Sequence, residues 1–372
     1  MTTTHKTVPS QRSAPAASSE SADEAAERIF ATALAGAEAM SVYLGDRLGW
    51  YRALASEGTA TPAELASRTG TAERYAREWL EQQAVCGILV AHEEEAGRRY
   101  ELPPGTAEAL TDETSLAYVG PLPRMFAAAA AHLPELLEAY RTGSGVSWEA
   151  LGADARESQA ALNRPWFEGR LADALGGVPE LHSALSRPGA RILDIGCGGG
   201  WSTIAMARAY PEASVEGVDI DRASVEMARR HATQAGVADR VGFRLADAGL
   251  LADGAASPYD AAFAFECVHD MPRPVEVLAA ARSAVRPDGF VVVMDEAVAD
   301  EFTAPGDDVE RFMYAASLLV CLPDGLSSPP SRGTGTVMRR SVLTGYAQEA
   351  GFADVDVLPI EDFSFFRFYR LR

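Results

Sequence analysis

The chain is short of positive charge, of clustered cysteine and of long apolar runs, and each shortage narrows what it can do. Its 33 Lys and Arg face 53 Asp and Glu, giving a formal net charge of −20 and a sequence pI of about 4.7. Such a surface repels a polyanion, because phosphate binding draws on grouped lysine and arginine, so nucleic acid is not an expected partner. The four cysteines, Cys86, Cys197, Cys267 and Cys321, are far apart and form no C-x-x-C pair. That spacing argues against a disulfide framework and a zinc site, and fits a reducing cytoplasm. No run of about eighteen apolar residues occurs and the N-terminus has no apolar core of the signal-peptide kind, so neither membrane insertion nor export is expected.

What is present is a chain of 372 residues, 47% of them hydrophobic, long enough for two cores. Residues 1–23 are rich in Ser, Thr, Ala and Pro without apolar periodicity, and are expected to form a disordered tail. Over residues 24–110 the pattern changes. Ile29, Phe30, Leu34, Val42, Leu44, Leu48 and Leu54 recur at helical intervals, predicting a core-facing helical segment. Thr61-Pro-Ala-Glu-Leu-Ala-Ser-Arg-Thr-Gly70 carries an N-cap, a proline in the first turn and a closing glycine, and Thr71 opens another helix reaching Val85. Two short strands around the polar tip at Glu93 complete a winged-helix order. Its would-be recognition helix sets Glu73, Glu78 and Glu81 against Arg74 and Arg77, which suits a packing or dimerisation module better than a DNA reader.

Residues 111–184 read as a helical linker that walls a substrate pocket. From 185 to 372, strand-like runs at Arg191–Ile195, Val215–Asp219, Val241–Leu245, Ala261–Phe265 and Phe290–Met294 alternate with amphipathic segments. This alternation predicts an α/β fold with a doubly wound, Rossmann-like parallel sheet.

In such sheets ligands sit beyond the carboxyl ends of the strands, and the first strand here runs into Asp194-Ile-Gly-Cys-Gly-Gly-Gly200. Asp219, with Ile220 beside it, ends the second strand 25 residues beyond Asp194, where a carboxylate can accept from both hydroxyls of a ribose; Asp221 is the nearby alternative. Asp247 and Ala248 follow the third strand, placed to accept from an adenine amino group and to lie along its ring. Taken in order, DIGCGGG, GVDID, ADA and Glu266-Cys-Val-His-Asp-Met-Pro resemble the class I methyltransferases over about residues 185–372. The resemblance implies S-adenosylmethionine as methyl donor, with Asp194, Gly196, Gly198 and Gly200 around its methionine end, Asp219 at the ribose and Asp247 at the adenine. Phe265 and Glu266 would line its other side.

His269 occupies the end of the fourth strand, and its flanking residues resemble the winged-helix small-molecule O-methyltransferases. In that family the matching histidine is the general base, a role that contributes ~10² to 10⁴ in rate; Asp270 or Asp295 could orient it. The resemblance further implies a small-molecule substrate and a homodimer. Val320-Cys-Leu-Pro323, Thr334-Gly-Thr-Val-Met-Arg339 and Phe366-Arg-Phe-Tyr-Arg-Leu371 resemble an actinobacterial winged-helix methyltransferase group related to α-keto acid C-methyltransferases. Those enzymes hold a metal with two histidines. The second would fall at Val320, which cannot ligate, so the expectation is O-methylation without a metal. C-methylation of an α-keto acid, a methyltransferase-fold regulator that binds DNA and a fold recruited to another reaction stay open as alternatives. The helix from Val309 to Leu322 and the Ser-, Pro- and Gly-rich stretch from Ser327 to Gly335 are expected to form a pocket lid.

Overall fold

A computed structural model describes residues 20–95, 97–253 and 258–372. The tail expected over residues 1–23 lies outside the described residues as far as residue 19, and Ser21 already caps the first helix.

Helix α1 (Ala22–Arg47) and α2 (Trp50–Glu57) lead into α3 (Pro62–Thr69), α4 (Glu73–Val85) and the hairpin of β1 (Val90–His92) and β2 (Arg99–Glu101). Helix α3 begins where Thr61 accepts from the Glu64 amide while Glu64 reaches back to the Thr61 amide, and it ends at Gly70 in left-handed conformation. Trp50, Tyr51, Leu65, Trp79, Leu80 and Tyr100 close the core of this unit. Helix α1 departs from expectation. Ile29, Phe30, Leu34, Leu44 and Leu48 are exposed, Phe30 by 69%, because the helix extends past the winged-helix core and only Val42 near its end enters that core.

The bridging region contains α5 (Pro104–Thr111), α6 (Pro121–Ala131), α7 (Leu133–Thr142), α8 (Trp148–Gly176, kinked at Gly152) and α9 (Pro179–Leu185). Arg124 on α6 donates from Nε to the buried Asp46 on α1 at 3.0 Å, tying the bridge to the winged helix.

The remaining chain runs β3 (Arg191–Ile195), α10 (Trp201–Ala209), β4 (Ser214–Asp219), α11 (Arg222–Gln234), β5 (Val241–Leu245), a 3₁₀ turn (Ala248–Asp253), β6 (Tyr259–Phe265), α12 (Pro274–Ala284) and β7 (Val285–Glu296). It closes with α13 (Asp308–Ala316), a π turn (Ser317–Cys321), α14 (Leu322–Leu326), α15 (Arg340–Glu349), β8 (Val355–Val357) and β9 (Phe366–Leu371). The sheet order is β5-β4-β3-β6-β7-β9-β8. The five strands expected to be parallel are parallel, whereas β9 and β8 pair antiparallel, so the sheet is mixed. Alternating side chains feed two cores. Ile192, Phe263, Val292 and Phe368 pack toward α8, α9 and α10, and Leu193, Ile195, Val291 and Val293 pack toward α12 and α15. The order reverses between β3 and β6, whose carboxyl ends open the crevice where a ligand can lie.

Candidate functional site

At the crevice the chain leaves β3 through the glycine turn. Gly198 holds φ +49° with open space where a Cβ would project, whereas a Cβ at Gly196 would stand 2.8 Å from Cys267 Sγ. The first lets backbone approach a ligand; the second lets the turn pack under the β6 loop. Gly200 caps α10, its amide donating to the Cys197 carbonyl. Asp194 is buried and accepts from the Ser202 and Thr203 hydroxyls at 2.6 and 2.5 Å, while its Oδ1 has no partner. Burial pushes its carboxyl up to about 6.

Asp219 accepts from the amides of Gly198 and Asp221, each at 2.8 Å, so the carboxylate braces the glycine turn. Each oxygen retains a lone pair for a further donor. Burial raises this carboxyl above its ordinary value. Ile220 beside it is exposed. Asp221 caps α11 and meets Arg156 of α8 through two bonds, at 2.7 and 2.9 Å. Asp247 accepts from the Gly249 amide at 2.8 Å and from Arg273 at 2.7 Å, and Ala248 packs on the core beneath. Phe265 differs from its expected place along the cofactor: its ring stacks on Phe263 at 5.2 Å and meets Phe167 edge-on, within the core.

The β6 and β7 ends gather the titratable groups. His269 is 2% exposed. Its Nδ1 lies 2.9 Å from Asp295 Oδ1 and 3.2 Å from Glu296 Oε2, and Nε2 lies 3.3 Å from Asp270 Oδ1. One Nδ1 proton serves the nearer Asp295, leaving Glu296 Oε2 without a hydrogen bond. Burial alone would strip the imidazole of its proton, but Asp270, Asp295 and Glu296 together hold its pKa well above the ordinary value. Asp295 is buried too, yet His269 keeps it below the usual carboxylate range, and burial drives Glu296 well above that range.

Beside this cluster is a cavity of about 240 Å³, walled by Tyr118, Leu122, Phe126, Trp166, Phe312 and Phe365, with Gln159, Asn163, Glu266, Glu296, Cys321 and Thr336 as its polar lining. Glu266, expected along the cofactor, faces this cavity. Its backbone is left-handed, φ 52°, and its Oε2 accepts from Asn163 at 2.6 Å. Burial pushes its carboxyl up to about 7. A more open groove of about 400 Å³ lies at the opposite strand ends, by Ser214, Val241 and Tyr259, away from these groups.

The expected lid helix is interrupted. The π turn at Ser317–Cys321 adds a residue to the winding, and both Val320 and Cys321 line the cavity. Donor atoms of Cys321, one position beyond Val320, and of His269 and Asp270 lie within 4.8 Å of one another. Burial raises the Cys321 thiol well above its ordinary value, which makes a thiolate ligand costly there. The following loop is pinned: Gly335 donates to the His269 carbonyl at 3.1 Å and Arg332 to that of Pro272 at 2.9 Å.

The sequence reading missed Asn163, Gln159, Glu296 and Cys321. Glu296 had a signal in its adjacency to Asp295; nothing in the helical pattern distinguished Asn163 or Gln159 from other polar positions of α8.

A glycine turn, carboxylates ending successive parallel strands and an apolar cavity by the carboxyl ends of β6 and β7 mark a nucleoside-binding α/β enzyme fold of the class I methyltransferase kind. A family model described as a methyltransferase domain matches residues 186–320, and another, described as an Rv2258c-like winged HTH domain, matches residues 36–112. The ubiquinone biosynthesis O-methyltransferase of Bordetella pertussis is 35% identical over 191 residues, 50% of this chain and 71% of the relative. The 27-O-demethylrifamycin SV methyltransferase of Amycolatopsis mediterranei is 40% identical over 126 residues, 34% of this chain, and the match spans 44% of that relative, less than half its length. The mitomycin 7-O-methyltransferase MmcR shares the fold with a TM-score of 0.71 at 22% identity, over 94% of this chain and 98% of that one. Human N-acetylserotonin methyltransferase, solved with S-adenosylmethionine, does so at 0.66 and 16% identity, over 96% and 99%. The chain belongs to the S-adenosylmethionine-dependent methyltransferases, and S-adenosylmethionine is the donor of that family. Among the described residues no helix is long and apolar enough to cross a membrane.

Proposed function

We propose that the protein transfers the methyl group of S-adenosylmethionine to an oxygen of a small, mainly apolar acceptor, with His269 as general base. The observation carrying this reading is the buried His269–Asp295 pair behind an apolar cavity at the carboxyl ends of β6 and β7. In the proposed complex Asp194, Gly196, Gly198 and Gly200 surround the methionine end, Asp219 and Ile220 the ribose, and Asp247 and Ala248 the adenine. The acceptor lies among Tyr118, Phe126, Trp166 and Phe312. The sulfonium is already a good leaving group, so the protein's task is to align the acceptor oxygen with the methyl and receive its proton. Asp295 fixes the imidazole through Nδ1, which leaves Nε2, 3.3 Å from Asp270 Oδ1, to receive the acceptor's proton; His269 stands behind the cavity lining rather than in it.

We further propose residues 24–110 as a dimerisation module, which the exposed apolar stripe of α1 supports, 111–184 as the pocket wall, which the cavity lining supports, and a homodimer in the cytoplasm. The test is to incubate the purified chain with S-adenosylmethionine and a panel of phenolic acceptors, following S-adenosylhomocysteine and the methylated product. An ether product lost with His269→Ala supports the reading. Full turnover by that variant, or a product methylated on carbon, overturns it.

A further inference from the structure

We propose that Glu266 and Glu296 form an acidic clamp at the inner end of the cavity, which selects acceptors carrying a protonated amine beside an apolar or aromatic body. This inference rests on the cavity being the acceptor site.

The cavity's polar lining is unbalanced in charge. Glu266 and Glu296 both line it, and no Lys, Arg or His does so among the described residues. Behind them Asp270 and Asp295 add two carboxyls, and among the described residues His269 is the basic group that pairs with the cluster. An imidazolium offsets one carboxylate, and burial pushes the Glu266 and Glu296 carboxyls up toward their protonated forms, which a cation entering the cavity would reverse. Burying a carboxylate is costly unless a cation or several donors meet it. Glu296 is 2% exposed and its Oε2 receives no hydrogen bond. Glu266 accepts from the Asn163 amide group, with Gln159 as a further side-chain donor, and is held with φ 52°, a conformation costly for a residue with a Cβ. The hydrogen bond from the Glu266 amide to the Met294 carbonyl at 2.7 Å fixes that backbone against β7, the strand that delivers Glu296. Two carboxyls, one just past β6 on left-handed backbone and one at the buried end of β7, are thereby presented to one space.

An ammonium fits this lining better than a hydroxyl. It brings three donors and the positive charge that the cluster lacks, and a charge-assisted bond is roughly twice as strong as a neutral one. The aromatic walls, Tyr118, Phe126, Trp166 and Phe312, suit both a flat acceptor body and a cation, through the negative faces of their rings.

The test uses the full chain with matched phenols that differ in the amine: tyramine against 4-ethylphenol, and dopamine against 4-ethylcatechol. Binding is followed by tryptophan fluorescence with S-adenosylhomocysteine present, and S-adenosylhomocysteine affinity is measured separately. Each amine is expected to bind at least roughly tenfold more tightly than its neutral partner, the worth of one charge-assisted bond. Glu266→Gln should reduce that preference to within about threefold while S-adenosylhomocysteine affinity holds. Glu296→Gln provides the second variant, should Glu266→Gln fail to fold. Equal binding within each pair, no binding of either amine at millimolar concentration, or a preference untouched in both variants overturns the proposal. A preference abolished by a chelator assigns the carboxyls to a metal and also overturns it. If Glu266→Gln weakens S-adenosylhomocysteine and leaves the amine preference alone, Glu266 serves the donor instead. Failure of the wild-type chain to bind S-adenosylhomocysteine would count against the methyltransferase reading itself, a result separate from all of these.

Discussion

His269 Nδ1 points at Asp295 Oδ1 across 2.9 Å, joining the loop after β6 to the end of β7 in a site closed to solvent. If this pair supplies the base, His269→Ala lowers kcat by ~10² to 10⁴. Asp295→Asn lowers it less, and both leave the affinity for S-adenosylhomocysteine within about twofold of wild type. Single-turnover rates beside calorimetric binding check this, and equal losses in binding would sink the assignment.

The pH profile has a defined sign. A general base works when neutral, and the surrounding carboxylates raise the imidazole pKa. The rate should therefore climb with pH along a limb above the ordinary histidine range of about 6.5. Asp295→Asn removes one of those carboxylates, so it should move the limb toward lower pH. A limb unmoved by Asp295→Asn would show that another group titrates.

If Asp219 holds the ribose, Asp219→Ala should raise the dissociation constant of S-adenosylhomocysteine by at least roughly tenfold, because it removes that acceptor and frees the Gly198 amide together. Isothermal titration measures it; unchanged affinity would place the nucleoside elsewhere.

Asp194 gives a stability prediction. Its folded carboxyl lies near 6 against an ordinary 3.8, so the folded state holds the proton more tightly than the unfolded one. That group costs nothing below about pH 4, and its penalty grows as pH rises to about 6 and then levels, at roughly 3 kcal/mol. Asp194→Asn lacks this penalty. The stability of the variant relative to wild type should improve between those pH values in urea unfolding, and a flat difference would contradict the assignment.

Chelation should leave turnover unchanged under metal-free O-methylation. Activity lost in chelator and restored by one divalent or ferric ion would instead favour the grouping of His269, Asp270 and Cys321.

Much of the fold was legible because it rests on local chemistry. The α3 caps at Thr61 and Gly70, and the β3 run into the glycine turn, follow from neighbouring residues alone. Less readable was anything decided by distant packing. The three-residue β8 is too short to show a period. The stripe on α1 resembles a core face, since amphipathicity marks a surface to be covered without saying by what. The place of Cys321 beside His269 was not readable, because a π turn changes the spacing that a regular helix would impose. Phe265 is adjacent to a site residue, yet strand alternation sends its ring into the core.

Helix α8 touches every part of the proposed chemistry. Arg156 grips Asp221 behind the nucleoside strand, Ala160 abuts the glycine turn so closely that a Cβ at Gly199 would stand 2.7 Å from it, and Asn163 holds Glu266 in the cavity. Two turns of one helix thus carry the donor's cradle and the acceptor's wall. A substitution that shifts this rod to admit a bulkier acceptor disturbs the donor in the same motion, so acceptor range should diversify more readily through α6 and α13, which contribute Phe126 and Phe312.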